Sequence, residues 1–165
     1  MDLKRAGRHL VMTRRRVDVA FPKRTLAAIG QAIKASEAEH AGEIRFAVEG
    51  ALDLGPLLKG QSTRERAIDV FSEMRIWDTE HNNGVLIYMS LADRTVEIVA
   101  DRGIHAKVGS KEWERICGRM EADFQKADFE GGVVRGIQAV TQHLMKHFPL
   151  IGDDGNELPD KPLVL

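Results

Sequence analysis

A chain of 165 residues, 43% hydrophobic and 30% charged, has the length and apolar content of one domain with its own core. A formal charge of −1 excludes a generic nucleic-acid binder, and the single cysteine, Cys117, excludes an internal disulfide.

The charge is unevenly spread. Residues 1–24 hold eight Lys or Arg against Asp2 and Asp18, so the rest of the chain is acidic. Residues 1–16 read as a basic arm, a solvated leader on the body. It is also a surface that could meet RNA, anionic lipid or an acidic partner. Leu10-Val11-Met12 is far short of the ~7–15 apolar residues of a secretory signal. No run reaches the ~18 apolar residues of a membrane span. The expectation is a cytoplasmic monomer with no membrane span and no specific nucleic acid. An unidentified protein partner is left open.

Val17, Val19 and Phe21 alternate with Asp18 and Ala20, which predicts a short strand or extended entry. Pro22 suits the first turn of a helix, and Leu26, Ile29 and Ile33 continue it at helical spacing, with Gly42 as its stop. Glu43–Glu49 alternates Ile44, Phe46 and Val48 with charges, a strand with one well-buried side. Residues 50–61 hold three glycines and a proline and read as a loop. Ser62 and Glu65 form a capping box that opens a helix over 62–77, its stripe running Ala67, Val70, Phe71, Met74, Trp77. A hairpin follows, roughly 84–90 and 95–100. Ser110 is the expected N-cap of a helix with Trp113, Ile116, Cys117, Met120 and Phe124 on one stripe. A last helix, about 130–147, carries Val133, Ile137, Val140 and Leu144. The tail 149–165 is Pro-rich and acidic, with closing apolar residues that can dock on the body. Cys117 reads as a small buried hydrophobe, and Trp77 and Trp113 as core anchors.

Strand, helix, strand, helix and hairpin predict an α/β sandwich. A right-handed crossover through 62–77 makes 43–49 and 84–90 parallel, and the hairpin partner then runs antiparallel to both. Glu43, Asn82, Asn83 and Asp101 fall at one end of that sheet. Carboxylate plus amide oxygen is the ligand set of hard cations such as Ca²⁺ or Mg²⁺. The competing reading makes Asn82-Asn83-Gly84 only a turn, since Asn and Gly accept positive φ. His81 and His105 flank the cluster, and imidazole titrates near pH ~6.5. At the other end, Gly55 to Ser62 is a near miss for a phosphate loop, with Gln61 where the lysine is needed. His143 and His147 have zinc-ligand spacing without the accompanying glutamate, and read as an ordinary pair.

Asn82-Asn83-Gly84-Val85-Leu86-Ile87, Asp93-Arg94, Val96-Glu97-Ile98 and Arg102-Gly103-Ile104 together resemble the central motif of the TPM domain family. Val17-Asp18, Glu43-Ile44, Phe124 and Phe129-Glu130-Gly131-Gly132 are similar to its flanking patterns, so the resemblance spans residues 17–148. It implies a three-layer α/β/α sandwich with a small mixed sheet and a divalent-cation site. Ca²⁺ is the first expectation and Mg²⁺ the second. In some members it implies an acid-phosphatase-like activity. This chain has Asp101-Arg102-Gly103 where many members have a Gly-aromatic-Gly turn, which adds an oxygen. Asp18 fits the family pattern, yet the topology sets it at the opposite end from Asn83.

The expected function is therefore a TPM-type domain that binds a cation through Asn82, Asn83, Asp101 and Glu43. Were it catalytic, phosphate monoesters would be hydrolysed, with Arg102 holding phosphate oxygens and His105 or His81 protonating the leaving group. The alternative is a non-catalytic interaction or regulatory module that uses the basic arm and the tail.

Overall fold

A computed structural model describes residues 3–152 and 155–165. Among them the elements run α1 (Leu3–Leu10), α2 (Arg14–Ala20), α3 (Lys23–Glu37), β1 (Glu43–Glu49), α4 (Leu54–Leu58) and α5 (Thr63–Glu73). Then follow β2 (Gly84–Ser90), β3 (Thr95–Ala100), α6 (Arg102–Val108), α7 (Ser110–Gln125), α8 (Phe129–His147) and β4 (Leu163–Val164).

The sheet order is β3-β2-β1-β4. β1 pairs with β2 in parallel, Glu43 beside Gly84, and β2 pairs with β3 antiparallel, Val85 beside Ala100. This is the predicted crossover. The tail adds a short parallel strand on the free edge of β1, with Ala47 beside Leu163.

Strand alternation divides the core in two. Ile44, Phe46 and Val48 of β1, with Val85, Ile87 and Met89 of β2, face α3, α7 and α8, which supply Ile29, Ile33, Trp113, Ile116, Val133 and Ile137. The opposite face carries Ala47, Leu86, Tyr88 and Val99 against Ala67, Val70 and Phe71 of α5. Each such large side chain, fully buried, stabilises the fold by about 1.5–3 kcal/mol. The result is the expected α/β/α sandwich. Its smaller face is completed by Leu158, Leu163 and Leu165 of the tail.

Several local expectations are corrected. Residues 17–21 are not a strand: Val17 and Phe21 lie one turn apart and bury the same side of α2. A period of two and a period near four coincide over so short a stretch. The 50–61 loop contains the single turn α4, and residues 102–108 form α6. The capping box of α5 is present as predicted, with Ser62 and Glu65 each holding the other's backbone N–H. Trp77 is not a core anchor. It is 48% exposed, with the Arg75 guanidinium 5.6 Å from its ring centroid. Trp113 is buried as expected, and burial raises the Cys117 thiol to about 12.

The basic arm is helical, and most of its side chains are exposed. His9 is buried, and α1 is pinned to the hairpin turn through Asp93.

Candidate metal centre

The segment 82–84 enters β2, and close contacts hold it. Asn82 takes the left-handed conformation, φ 52°, which asparagine tolerates. Asn83 is fully buried; its Nδ2 donates to Ala41 O at 2.9 Å, and its backbone N–H donates to Thr79 Oγ1 at 3.2 Å. Gly84 starts the strand because a Cβ there would lie 2.2 Å from Ile76 O.

Asp101 follows β3 directly. Its backbone N–H donates to Gly84 O at 2.9 Å, and its Oδ1 accepts from Arg102 N at 2.7 Å, capping α6. Ile104 N donates to Asn82 O at 3.3 Å. A Cβ on Gly103 would stand 2.5 Å from Asn82 O and 2.8 Å from His81 O, so the first turn of α6 lies directly on the 81–82 backbone. The hairpin therefore brings its two ends together as the alternation predicted.

Two oxygens in this junction stand out. Oδ1 of Asn83 and Oδ2 of Asp101 are sealed from solvent and accept no hydrogen bond. Backbone groups engage the other polar atom of each side chain, which fixes the headgroups and leaves these acceptors unsatisfied.

Glu43 lies beside Gly84 in the register, but its carboxylate is turned to the tail. Oε1 accepts from Glu157 N at 2.9 Å and Oε2 from Leu158 N at 3.2 Å. Burial raises its pKa, against those backbone hydrogen bonds. Glu157 in turn accepts from Glu80 N at 3.1 Å, so the tail also braces the 78–83 loop. His81 and Arg102 are exposed and His105 is half-buried. Among the described residues no hydrogen bond or ion pair engages these three side chains.

The support behind Asn83 was not legible in the sequence. His40 is buried at the end of the α3–β1 connection, and burial lowers its pKa to about 4. Its Nδ1 accepts from Gly42 N at 3.1 Å, which places the proton on Nε2, 2.8 Å from Ser36 Oγ. Ser36 then meets Thr141 Oγ1 at 2.5 Å, and Thr141 donates to Ile137 O at 2.7 Å. This relay anchors residues 40–42, whose Ala41 carbonyl holds the Asn83 amide.

The remaining candidates resolve simply. Asp18 lies on exposed α2, paired with Arg14 at 3.4 Å, at the far end from Asn83. His143 meets Glu112 Oε1 at 2.9 Å and lies edge-on to Trp113. The far end of the sheet is a charge network: Asp93 collects Arg5, His9 and Thr63, while Glu49 accepts from Arg66 and Tyr88. Among the described residues no group of three or more His, Cys, Asp or Glu is arranged to hold a metal ion. The Asn82–Asn83–Asp101 junction has one carboxylate, and its other side-chain oxygens are amide oxygens.

A mixed four-stranded sheet between helical layers, with an Asn-Asn-Gly entry to its central strand, defines the class. The model of the TPM domain matches residues 19–143, most of the chain, and the chain belongs to that family. It is similar to the BA42 protein of the psychrophilic bacterium Bizionia argentinensis, solved by NMR, at 32% identity and a TM-score of 0.75. That match covers 86% of this chain and 93% of BA42. The N-terminal domain of a P. gingivalis protein shares the fold at 21% identity and a TM-score of 0.56, over 73% of this chain and 76% of that one. No curated protein matches the chain. No helix among the described residues is long and apolar enough to cross a membrane.

Proposed function

We propose that this TPM domain binds one hard divalent cation, Ca²⁺ in preference to Mg²⁺, through Asn82, Asn83 and Asp101. The observation that carries the reading is the pair of sealed, unpartnered oxygens, Asn83 Oδ1 and Asp101 Oδ2. Leaving a buried acceptor unsatisfied costs about 1–3 kcal/mol, so two in one junction call for a ligand. Both are the oxygen type that hard cations take. Ca²⁺ accepts irregular oxygen ligation, whereas Mg²⁺ demands near-octahedral geometry. A single carboxylate implies modest affinity. Glu43, with both oxygens on backbone N–H groups, serves in this proposal as the anchor of the tail beside the site.

The family's name carries the word phosphatase, and phosphate-monoester hydrolysis is the reaction this end of the sheet would suit. A bound cation supplies Lewis acidity toward a phosphoryl oxygen. Arg102, exposed next to Asp101, offers a guanidinium to phosphate oxygens. His105 and His81 are the imidazoles within the same end of the sheet for leaving-group protonation.

Amide NMR during Ca²⁺ and Mg²⁺ titration of the whole chain tests the binding. Shifts confined to 82–84 and 101–105, with affinity at least tenfold weaker in Asp101→Asn, support it. Unmoved amides there, or shifts only at 143–147, overturn it. Turnover of a chromogenic phosphate ester, compared between the chain and Arg102→Ala, tests the chemistry separately.

A further inference from the structure

A deep cleft lies at the other end of the molecule. It encloses about 850 Å³ between α2, the hairpin turn and the α7–α8 turn. That volume is within the ~300–1,000 Å³ range of small-molecule sites. Met89 and Leu91 form its floor with Phe124 and Phe129. Arg15, Arg16 and Arg94 stand at its rim. Met89 is the last residue but one of β2, which Gly84 begins, so nearly the length of a strand, about 20 Å, separates this cleft from Asn83.

The rim is charged and unspent. Among the described residues no ion pair or side-chain hydrogen bond engages Arg15, Arg16 or Arg94. Their neighbours differ: Arg5 is held by Asp93 and Arg14 by Asp18. Glu121 is the acid in the lining, and its Oε1 accepts from Val96 N at 2.9 Å, so it faces the sheet for part of its bonding. Three guanidiniums against one carboxylate leave the cleft positive in a chain whose formal charge is −1. Val19, at the lip, is 75% exposed, an apolar side chain left largely uncovered by the described residues.

We propose that this cleft binds a single-chain amphiphile with an anionic head, a fatty carboxylate or an alkyl phosphate. The alkyl chain lies on Met89, Leu91 and Phe124 and under Val19. The head is held by the planar forks of Arg15, Arg16 and Arg94, which match carboxylate and phosphate oxygens. The charge of the rim selects the head, and the concave apolar floor selects a single chain over a flat membrane surface. The site shares no residue with the cation junction, so its failure leaves that reading untouched.

Calorimetry and amide NMR with the full chain test it, using dodecyl phosphate and dodecanoate as monomers. Saturable one-to-one binding, with shifts confined to residues 12–21, 89–94 and 121–129, is expected. The triple variant Arg15→Gln/Arg16→Gln/Arg94→Gln weakens it at least tenfold while its amide spectrum stays folded. Dodecyl maltoside binding equally well overturns the role of the arginines. Inorganic phosphate binding as tightly overturns the role of the floor. Sedimentation with phosphatidylserine vesicles and no one-to-one complex with the monomers makes the surface a membrane face and overturns the proposal.

Discussion

Arg5 grips Asp93 across 88 residues of sequence through two hydrogen bonds of 2.8 Å, one from Nε and one from an Nη. His9 Nε2 adds a third contact to the same carboxylate at 3.1 Å, while its Nδ1 accepts from Leu52 N at 3.0 Å. Helix α1 is thereby tied to the turn between β2 and β3. Although burial raises the Asp93 carboxyl, the hydrogen bonds from Arg5 and His9 outweigh it and hold the group well below the usual carboxylate range. Its stabilisation is present above the unfolded value, near ~3.9, and is lost as pH falls through the folded one. Arg5→Met is expected to destabilise by about 1–3 kcal/mol at pH 7. In urea titrations the gap between variant and parent should narrow below pH ~4.

The relay through His40, Ser36 and Thr141 supports Asn83 from behind. Thr141→Val keeps the volume and removes the hydroxyl, leaving the Ser36 hydroxyl with His40 as donor and no acceptor for its own proton. A loss of about 1–3 kcal/mol in chemical denaturation is expected. His40 is held neutral, with its pKa lowered to about 4 by burial. Between that value and ~6.5 the unfolded chain binds the extra proton, so this residue makes stability fall with falling pH across that window. A His40→Gln variant should lose that part of the slope.

Glu37 carries the opposite sign. Burial raises its carboxyl to about 9, against the hydrogen bond its Oε1 accepts from Ile44 N, with Glu43 and Asp160 adding to the rise. Between the ordinary carboxylate value and about 9 the unfolded state releases a proton the folded state keeps. Stability therefore falls as pH rises through that window. Glu37→Gln keeps an oxygen for Ile44 and removes the titration. Its melting temperature should exceed the parent's at pH 8, by the equivalent of about 1 kcal/mol or more, and the two should converge near pH 5.

Gly103 joins fold and site. An alanine Cβ would press on the carbonyls of Asn82 and His81 at 2.5 and 2.8 Å, and backbone has little room to yield. Gly103→Ala should destabilise by about 2 kcal/mol or more and weaken Ca²⁺ binding, because α6 must lift from the 81–82 segment. Thermal unfolding with and without Ca²⁺ checks both: the parent should gain about 2.7 kcal/mol at a hundredfold excess over Kd, and the variant less.

Glu43→Ala frees the backbone N–H of Glu157, while that of Leu158 keeps Asn156 Oδ1 as an acceptor at 3.2 Å. Hydrogen exchange at the Glu157 amide should accelerate at least about tenfold, the equivalent of one lost hydrogen bond of about 1.4 kcal/mol. An unchanged rate would mean the tail is held by its other contacts, those of Leu158, Leu163 and Leu165 with the core and of Glu157 with Glu80 N.

Strong periodicity made the sandwich legible. The Trp113–Met120 stripe repeats long enough to declare a period near 3.6, and Ile44-Phe46-Val48 and Val85-Ile87-Met89 stand in runs whose starts Gly42 and Gly84 mark. Val17-Val19-Phe21 has the same short alternation without such a marker, and was misread. Helix α6 has only seven residues, with Gly103 near its start, and local pattern gave it no signal. Asn83 and Asp101 were found because a hairpin closes on itself, which chain order alone dictates. Glu43 shares their end of the sheet, yet the direction of its carboxylate depends on Glu157 and Leu158, more than a hundred residues away. Trp77 sits on the helical stripe but after α5 ends at Glu73, where Arg75 turns the chain left-handed at φ 54°.

Strand β4 is two residues long, and it alone flanks β1 on the outer side of the sheet. Beyond it an open backbone would present donors and acceptors to any extended peptide. The tail thus covers that edge of the sheet only at Ala47 and Val48. Trimming the tail would leave the N–H and C=O groups of Ala47 and Val48 open for pairing along with the rest of that edge.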